Sequence, residues 1–279
     1  MINRFRFRRA RRVTAILAAL LLSWTEPARS ESLPRWELGL AFSAAEFNAY
    51  RGSAASEQLI FPFPFFIYRS DRLNVGEGGA RGNIFRGDQA RVNVSLSSGV
   101  PVSDASLPAR AGMPRLETIL ELGPSFEYRF WHDDSGGELW GKLPLRAAFS
   151  FDDLRIDYHG WLLSPYLEYS ETNGKLKISF TAGPLFANDD YHRYFYEVER
   201  QYARSNRPEY AAEGGYGGAR FSVVLRYRWS KFTVGTYLRY DTLADAVFLD
   251  SPLVEENSYI AGGLFMAWRF WESDVRTTE

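Results

Sequence analysis

The chain has 279 residues, with 33 Lys and Arg against 34 Asp and Glu, three His and no Cys. A formal net charge of −1 excludes a polyanion binder and gives no basis for a nucleic-acid partner, and the absence of Cys excludes a disulfide scaffold. Aromatic residues make up 16%, yet past the N-terminus no apolar run approaches the roughly 20 residues of a membrane-spanning helix, so a membrane role would need a barrel.

The chain opens on "MINRFRFRRARR" and then "VTAILAALLLSW", residues 13–24. A basic start, a short apolar run and the small-x-small end Ala28-Arg29-Ser30 read as a secretory signal peptide over 1–30, cleaved after Ser30. Its removal takes seven Arg and one Glu and leaves 26 bases against 33 acids, a net charge of about −7. A Cys-free exported chain fits the envelope of a Gram-negative cell, and the expected location is the outer membrane.

Beyond the leader, side chains alternate with a period of two, as they do along a strand. "WELGLAFS" opens the series, and "RVNVSLSS" behaves the same way. In "LETILELGPSFEYRF" one row holds Leu116, Leu120, Leu122, Phe126, Tyr128 and Phe130, and the other holds Glu117, Glu121, Glu127 and Arg129. "LPLRAAFSF" sets Leu143, Leu145, Phe149 and Phe151 against Arg146 and Ser150, and "GWLLSPYLEY" sets Trp161, Leu163, Leu167 and Tyr169 against Ser164 and Glu168. "KLKISFTA" opposes Leu176, Ile178 and Phe180 to Lys175, Lys177, Ser179 and Thr181. "RFSVVLRYRWSKFTVGTYLRY" places Arg220, Arg226, Arg228, Lys231 and Arg239 on one side, with aromatic and aliphatic residues on the other. A helical repeat would scatter Arg226 and Arg228 over different faces. In the closing strand, Tyr259 to Phe270, the even row is Ile260, Gly262, Leu264, Met266, Trp268 and Phe270. Residues 271–279 are expected to form a short polar extension.

These patterns predict an all-β protein, an antiparallel transmembrane barrel over 31–270 whose apolar row meets outer-membrane lipid. Turning any Lys or Arg outward near the bilayer midplane costs about 2–4 kcal/mol, so the register is strongly specified. Eleven strands can be drawn: 35–44, 58–69, 72–79, 88–99, 115–130, 139–151, 158–170, 174–186, 216–229, 231–242 and 258–270. Bacterial single-chain barrels are even-numbered, so the expectation is twelve strands, with ten as the alternative. The weakest stretch is "NVGEGGARGNIFRG". Short turns fall at 69–72, 85–89, 132–137 and 171–175. Long polar loops fall at 44–57, 100–115, 188–215 and 243–257.

The charged row is expected in the lumen: Arg146, Lys175, Lys177, Arg220, Arg226, Arg228, Lys231 and Arg239, with Glu117, Glu121, Glu127 and Glu168. Either these charges pair across a filled interior, or they line a narrow pore whose basic wall favours small anionic solutes. No catalytic constellation is expected. His132 lies in a turn, His159 opens a strand beside Asp157, His192 lies in a long loop, and no hydroxyl shares a strand face with an imidazole. Asp189, Asp190, His192, Glu197 and Glu199 match no calcium-loop spacing, and neither a metal nor another cofactor is expected.

Five segments in order resemble the MltA-interacting protein family of outer-membrane proteins: "WELGLAFS" (36–43), "FPFPFFIYRSDRLNV" (61–75), "GPLFANDDYHRYFYEV" (183–198), "RPEYAAEGGYGGARF" (207–221) and "LADAVFLDSPLV" (243–254). The family's assembly signal ends on an aromatic residue, Phe270 here, and this chain continues past it. The resemblance implies an outer-membrane scaffold in cell-wall biogenesis, bringing a lytic transglycosylase near a peptidoglycan synthase.

Overall fold

The computed structural model describes residues 32–76, 79–98, 107–152 and 155–277. The leader and its cleavage point at Ser30 lie outside them. The described residues form twelve antiparallel strands: β1 Trp36–Asn48, β2 Ser56–Arg69, β3 Leu73–Gly76, β4 Gly79–Arg86, β5 Ala90–Ser98, β6 Ile119–His132, β7 Gly137–Asp152, β8 in two pieces (Arg155–Leu163 and Tyr166–Asn173), β9 Leu176–Ala187, β10 Gly215–Trp229, β11 Phe232–Thr242 and β12 Ser258–Glu272. Each pairs with its neighbour in sequence. β12 then pairs with β1, from Gly262↔Glu46 to Glu272↔Glu37, and closes the ring. Both pieces of β8 lie between β7 and β9 and make one strand. Closure removes every edge, so each ladder group finds a partner without water.

The strand missing from the sequence pattern is β4. The stretch expected as one strand over 72–79 is β3 followed by a reversal, with Val75 opposite Ala80 and Leu73 opposite Gly82. Its glycines carry no side chain to show alternation. Gly79 has φ +98, and a Cβ there would collide with the Leu96 carbonyl; only glycine fits such a place.

β8 is interrupted at Ser164-Pro165, since proline has no N–H to give the ladder. Pro144 and Pro184 sit in the neighbouring strands at this level, with the Ser164 amide bonded to the Pro144 carbonyl. Gly183 faces the Pro165 carbonyl too closely for any Cβ. β12 runs two residues past Phe270, carried to Glu272 by a bulge between Arg269 and Trp271, and Arg276–Thr277 lies in a separate two-stranded sheet with Leu33–Pro34.

The apolar row faces outward: Leu122, Phe126, Leu143, Leu145, Leu167, Phe180, Phe221, Leu238, Ile260, Leu264 and Met266 are all exposed. Aromatic rings form a belt at one end, with successive contacts Trp229–Phe232, Phe232–Trp268, Trp268–Phe270 and Phe270–Trp271 at 5.2–6.4 Å. The start of β1, the end of β12 and the short turns at 70–72, 87–89, 133–136, 174–175 and 230–231 lie at this end, because an even strand count brings the chain back to where the first strand began. Among the described residues the long connections lie at the other: 49–55, 107–118, 188–214 and 243–257.

Candidate functional site

The inward row carries three groups of charges. Nearest the turn end, the Glu37 carboxylate, 1% exposed, meets Arg69 at 2.6 Å, Arg228 at 3.1 Å and Arg269 at 3.1 Å. These residues come from β1, β2, β10 and β12, so the cluster stitches the closing seam. On the opposite wall the ions pair more evenly. Glu127 accepts from Asn93 at 2.9 Å and faces Arg81 at 3.6 Å; Lys142 reaches Glu168 at 3.0 Å, and Arg146 reaches Glu121 at 3.7 Å. Nearest the loop end, Asp241 on β11 is fully buried and takes three guanidiniums, Arg51 at 3.1 Å, Arg220 at 3.0 Å and Arg239 at 2.8 Å.

The long loops, expected to be polar, build an apolar cluster of their own: Tyr50, Leu107, Leu116, Tyr196, Ala212, Leu243, Ala246 and Phe248. Its centre is helix α1, Asp189–Tyr196. Asn188 caps it by accepting from the Tyr191 amide, Asp189 and Asp190 occupy the first turn and Arg193 the last, as the helix dipole favours. The Tyr196 ring stacks on Phe248 at 3.7 Å, its hydroxyl donates to the Arg51 carbonyl, and its own carbonyl accepts from Ser251. Tyr50 donates to the Leu253 carbonyl, and Arg207 donates to the carbonyls of Ala109 and Ala111. All four long connections are therefore bolted to one another as a lid. Tyr191 reaches from it down to Glu121 on the barrel wall at 3.3 Å.

His192 is buried in this lid, 4.6 Å from the Phe248 ring, and its Nδ1 lies 2.7 Å from the Glu213 carbonyl. A carbonyl only accepts, so Nδ1 carries the proton. Burial, partly offset by that bond, holds the imidazole below its ordinary value of 6.5. Burial also pushes the Tyr196 phenol well up.

Of the inward charges expected from sequence, Lys177, Arg220, Arg226, Arg228, Arg239, Arg146, Glu121, Glu127 and Glu168 lie on strands. Lys175 and Lys231 instead sit exposed in the two-residue turns, and Glu117 precedes β6, its amide bonded to the Tyr194 hydroxyl. The five loop residues weighed as metal ligands are engaged separately. Asp189 accepts from the Gly214 amide, Asp190 and Glu197 pair with Arg193, and Glu199 accepts from Gln201. Among the described residues no three His, Asp or Glu gather as a metal site.

One pair escaped the sequence. His159 Nε2 lies 2.7 Å from Ser150 Oγ, across β7 and β8 rather than along one strand. A bulge between Ala147 and Phe149 turns His159 inward beside it. Ser150 is only 1% exposed, and the nearby Asp157 faces Arg155 at 3.6 Å. His159 and Tyr194 also line a cavity of about 540 Å³ at the rim, with Arg110, Arg193 and Glu197.

The model of the family described as MltA-interacting protein MipA matches residues 38–270, from near the start of β1 to near the end of β12. The chain belongs to the MltA-interacting protein family. No curated protein matches it. Among solved structures it is similar to the CymD monoaromatic hydrocarbon channel, with 10% identity, 86% of this chain and 90% of that one covered, and a TM-score of 0.39. An outer membrane channel from Pseudomonas putida shares 13% identity over 88% of this chain and 100% of that one, with a TM-score of 0.36. Outer membrane phospholipase A from Escherichia coli shares 12% identity over 91% and 96%, with a TM-score of 0.33. The fold of this MltA-interacting protein family member rests on its own closed ladder.

Proposed function

We propose that this protein is a non-catalytic outer-membrane scaffold whose turn end holds a lytic transglycosylase, with a peptidoglycan synthase as the second partner. The family's name supplies the transglycosylase. The observation that carries the reading is the interlocked lid: with the loop end capped by Tyr196, Phe248 and their partners, the ends of the barrel rather than a free passage are where the protein acts. The outward apolar row and the aromatic belt support insertion in an outer membrane, with the short turns toward the periplasm and the long loops outside, as in bacterial barrels. Ser150 is only 1% exposed and offers no reachable nucleophile, which supports a non-catalytic role.

The test is capture of a purified lytic transglycosylase by the detergent-solubilised barrel. Retention is expected, with loss on exchanging the turn at 133–136 for an unrelated two-residue hairpin. Absence of capture, together with steady current in planar bilayers, would overturn the scaffold and favour the second reading, a narrow channel for small anionic solutes. That reading draws on the guanidiniums gathered on β10 and β11.

A further inference from the structure

We propose that the inward face of β10, β11 and β12 near the loop end is a binding site for a small multivalent oxyanion of phosphate chemistry, held by Arg220, Arg239 and the hydroxyl of Tyr259. This goes beyond the scaffold reading and needs no protein partner. The argument begins with charge. Asp241 supplies one negative charge to Arg51, Arg220 and Arg239, and among the described residues no other carboxylate lies within 4.0 Å of these three. Two positive charges are left over on part-buried side chains, where they are screened less than on an open surface.

Geometry then separates the three. Arg51 is spent tying its loop to the wall: its terminal nitrogens donate to the carbonyls of Gly217 on β10 and Thr242 on β11. Arg220 donates to Asp241 through Nε, which fixes its guanidinium plane and turns its terminal nitrogens away from the carboxylate, whereas Arg239 lies against the same carboxylate as an ion pair without a hydrogen bond from Nε. Their side chains are 38% and 27% exposed, toward the lumen. Among the described residues the terminal nitrogens of Arg220 have no acceptor. One terminal nitrogen of Arg239 donates to the Tyr259 hydroxyl at 3.3 Å, which leaves the phenolic proton to donate onward. Two part-exposed guanidiniums and a hydroxyl suit an anion with several oxygens and two charges.

The Glu37 cluster has the same one-to-three ratio and a different character. There Arg269 is almost wholly buried and donates to the Ser230 carbonyl, and Arg69 donates to the Pro34 carbonyl. Two of its three arginines also donate to carbonyls of the wall, so it clamps the seam.

The experiment titrates inorganic phosphate, sulfate and acetate into the processed protein in detergent micelles at low salt, by isothermal calorimetry. Phosphate and sulfate are expected to bind one to one, and acetate at least tenfold more weakly. Arg220→Gln and Arg239→Gln should each weaken phosphate at least tenfold, while Arg228→Gln, in the other cluster, should not. Heat-dependent gel mobility reports whether each variant still closes. Should either fail, Tyr259→Phe, which removes a hydroxyl and keeps the ring, should still weaken phosphate severalfold. Wild-type protein that binds no phosphate at millimolar concentration overturns the site. So does a loss in Arg228→Gln as large as that in Arg220→Gln, which would mean diffuse attraction to a basic lumen.

Discussion

Phe248→Ala tests whether the lid is held as a unit. Phe248 is 1% exposed, stacks on Tyr196 at 3.7 Å and meets His192 edge-on at 4.6 Å. Truncating a buried Phe costs about 3–5 kcal/mol. Here the loss falls on the apolar cluster between the loops and leaves the closed ladder untouched, so it should appear as local opening rather than barrel unfolding. At about 1.4 kcal/mol per decade, amide exchange over 189–196 and 243–257 should quicken by about two to three and a half orders of magnitude. Hydrogen-exchange mass spectrometry of the protein in nanodiscs reads this directly, with strand peptides from β10 and β11 as internal controls. Unchanged exchange in the lid, or equal acceleration in the strands, would refute the separation of lid from wall.

The buried His192 makes the lid sensitive to acid. Its pKa is held below 6.5 in the folded lid, so the open lid binds more protons as pH falls below that value. Lid stability is fully present above about pH 6.5 and is lost on acidification toward the folded pKa, so lid protection factors, corrected for the intrinsic pH dependence of amide exchange, should be lower at pH 5 than at pH 8. His192→Phe should flatten the profile. Glu37→Ala leaves Arg269 buried without its carboxylate and should cost about 3–5 kcal/mol, seen as a lower temperature for the gel-mobility shift; Glu46→Ala, exposed on the same strand, should not move it. Leu264→Arg, on the outward row at 65% exposure, should lose about 2–4 kcal/mol in refolding titrations into lipid vesicles.

Which way each strand residue points was legible without coordinates, because alternation is a local property of the chain. Phe221, Tyr227 and Trp229 face out, and Arg220, Arg226 and Arg228 face in, as the period of two requires. The short turns were legible for the same reason, since their Gly, Asp and Asn residues act over a few bonds. β4 was not, because glycines leave no alternation to count. The lid was hidden because its apolar residues are scattered over loops with no period. The convergence of Arg51 on Asp241, 190 positions away, and of Arg269 on Glu37, 232 positions away, was decided by closure. So was the pairing of Ser150 with His159, which depends on a bulge. Local pattern fixes the face of a residue, whereas the register between strands and the meeting of β12 with β1 fix its neighbours, and only the assembled barrel sets those distances.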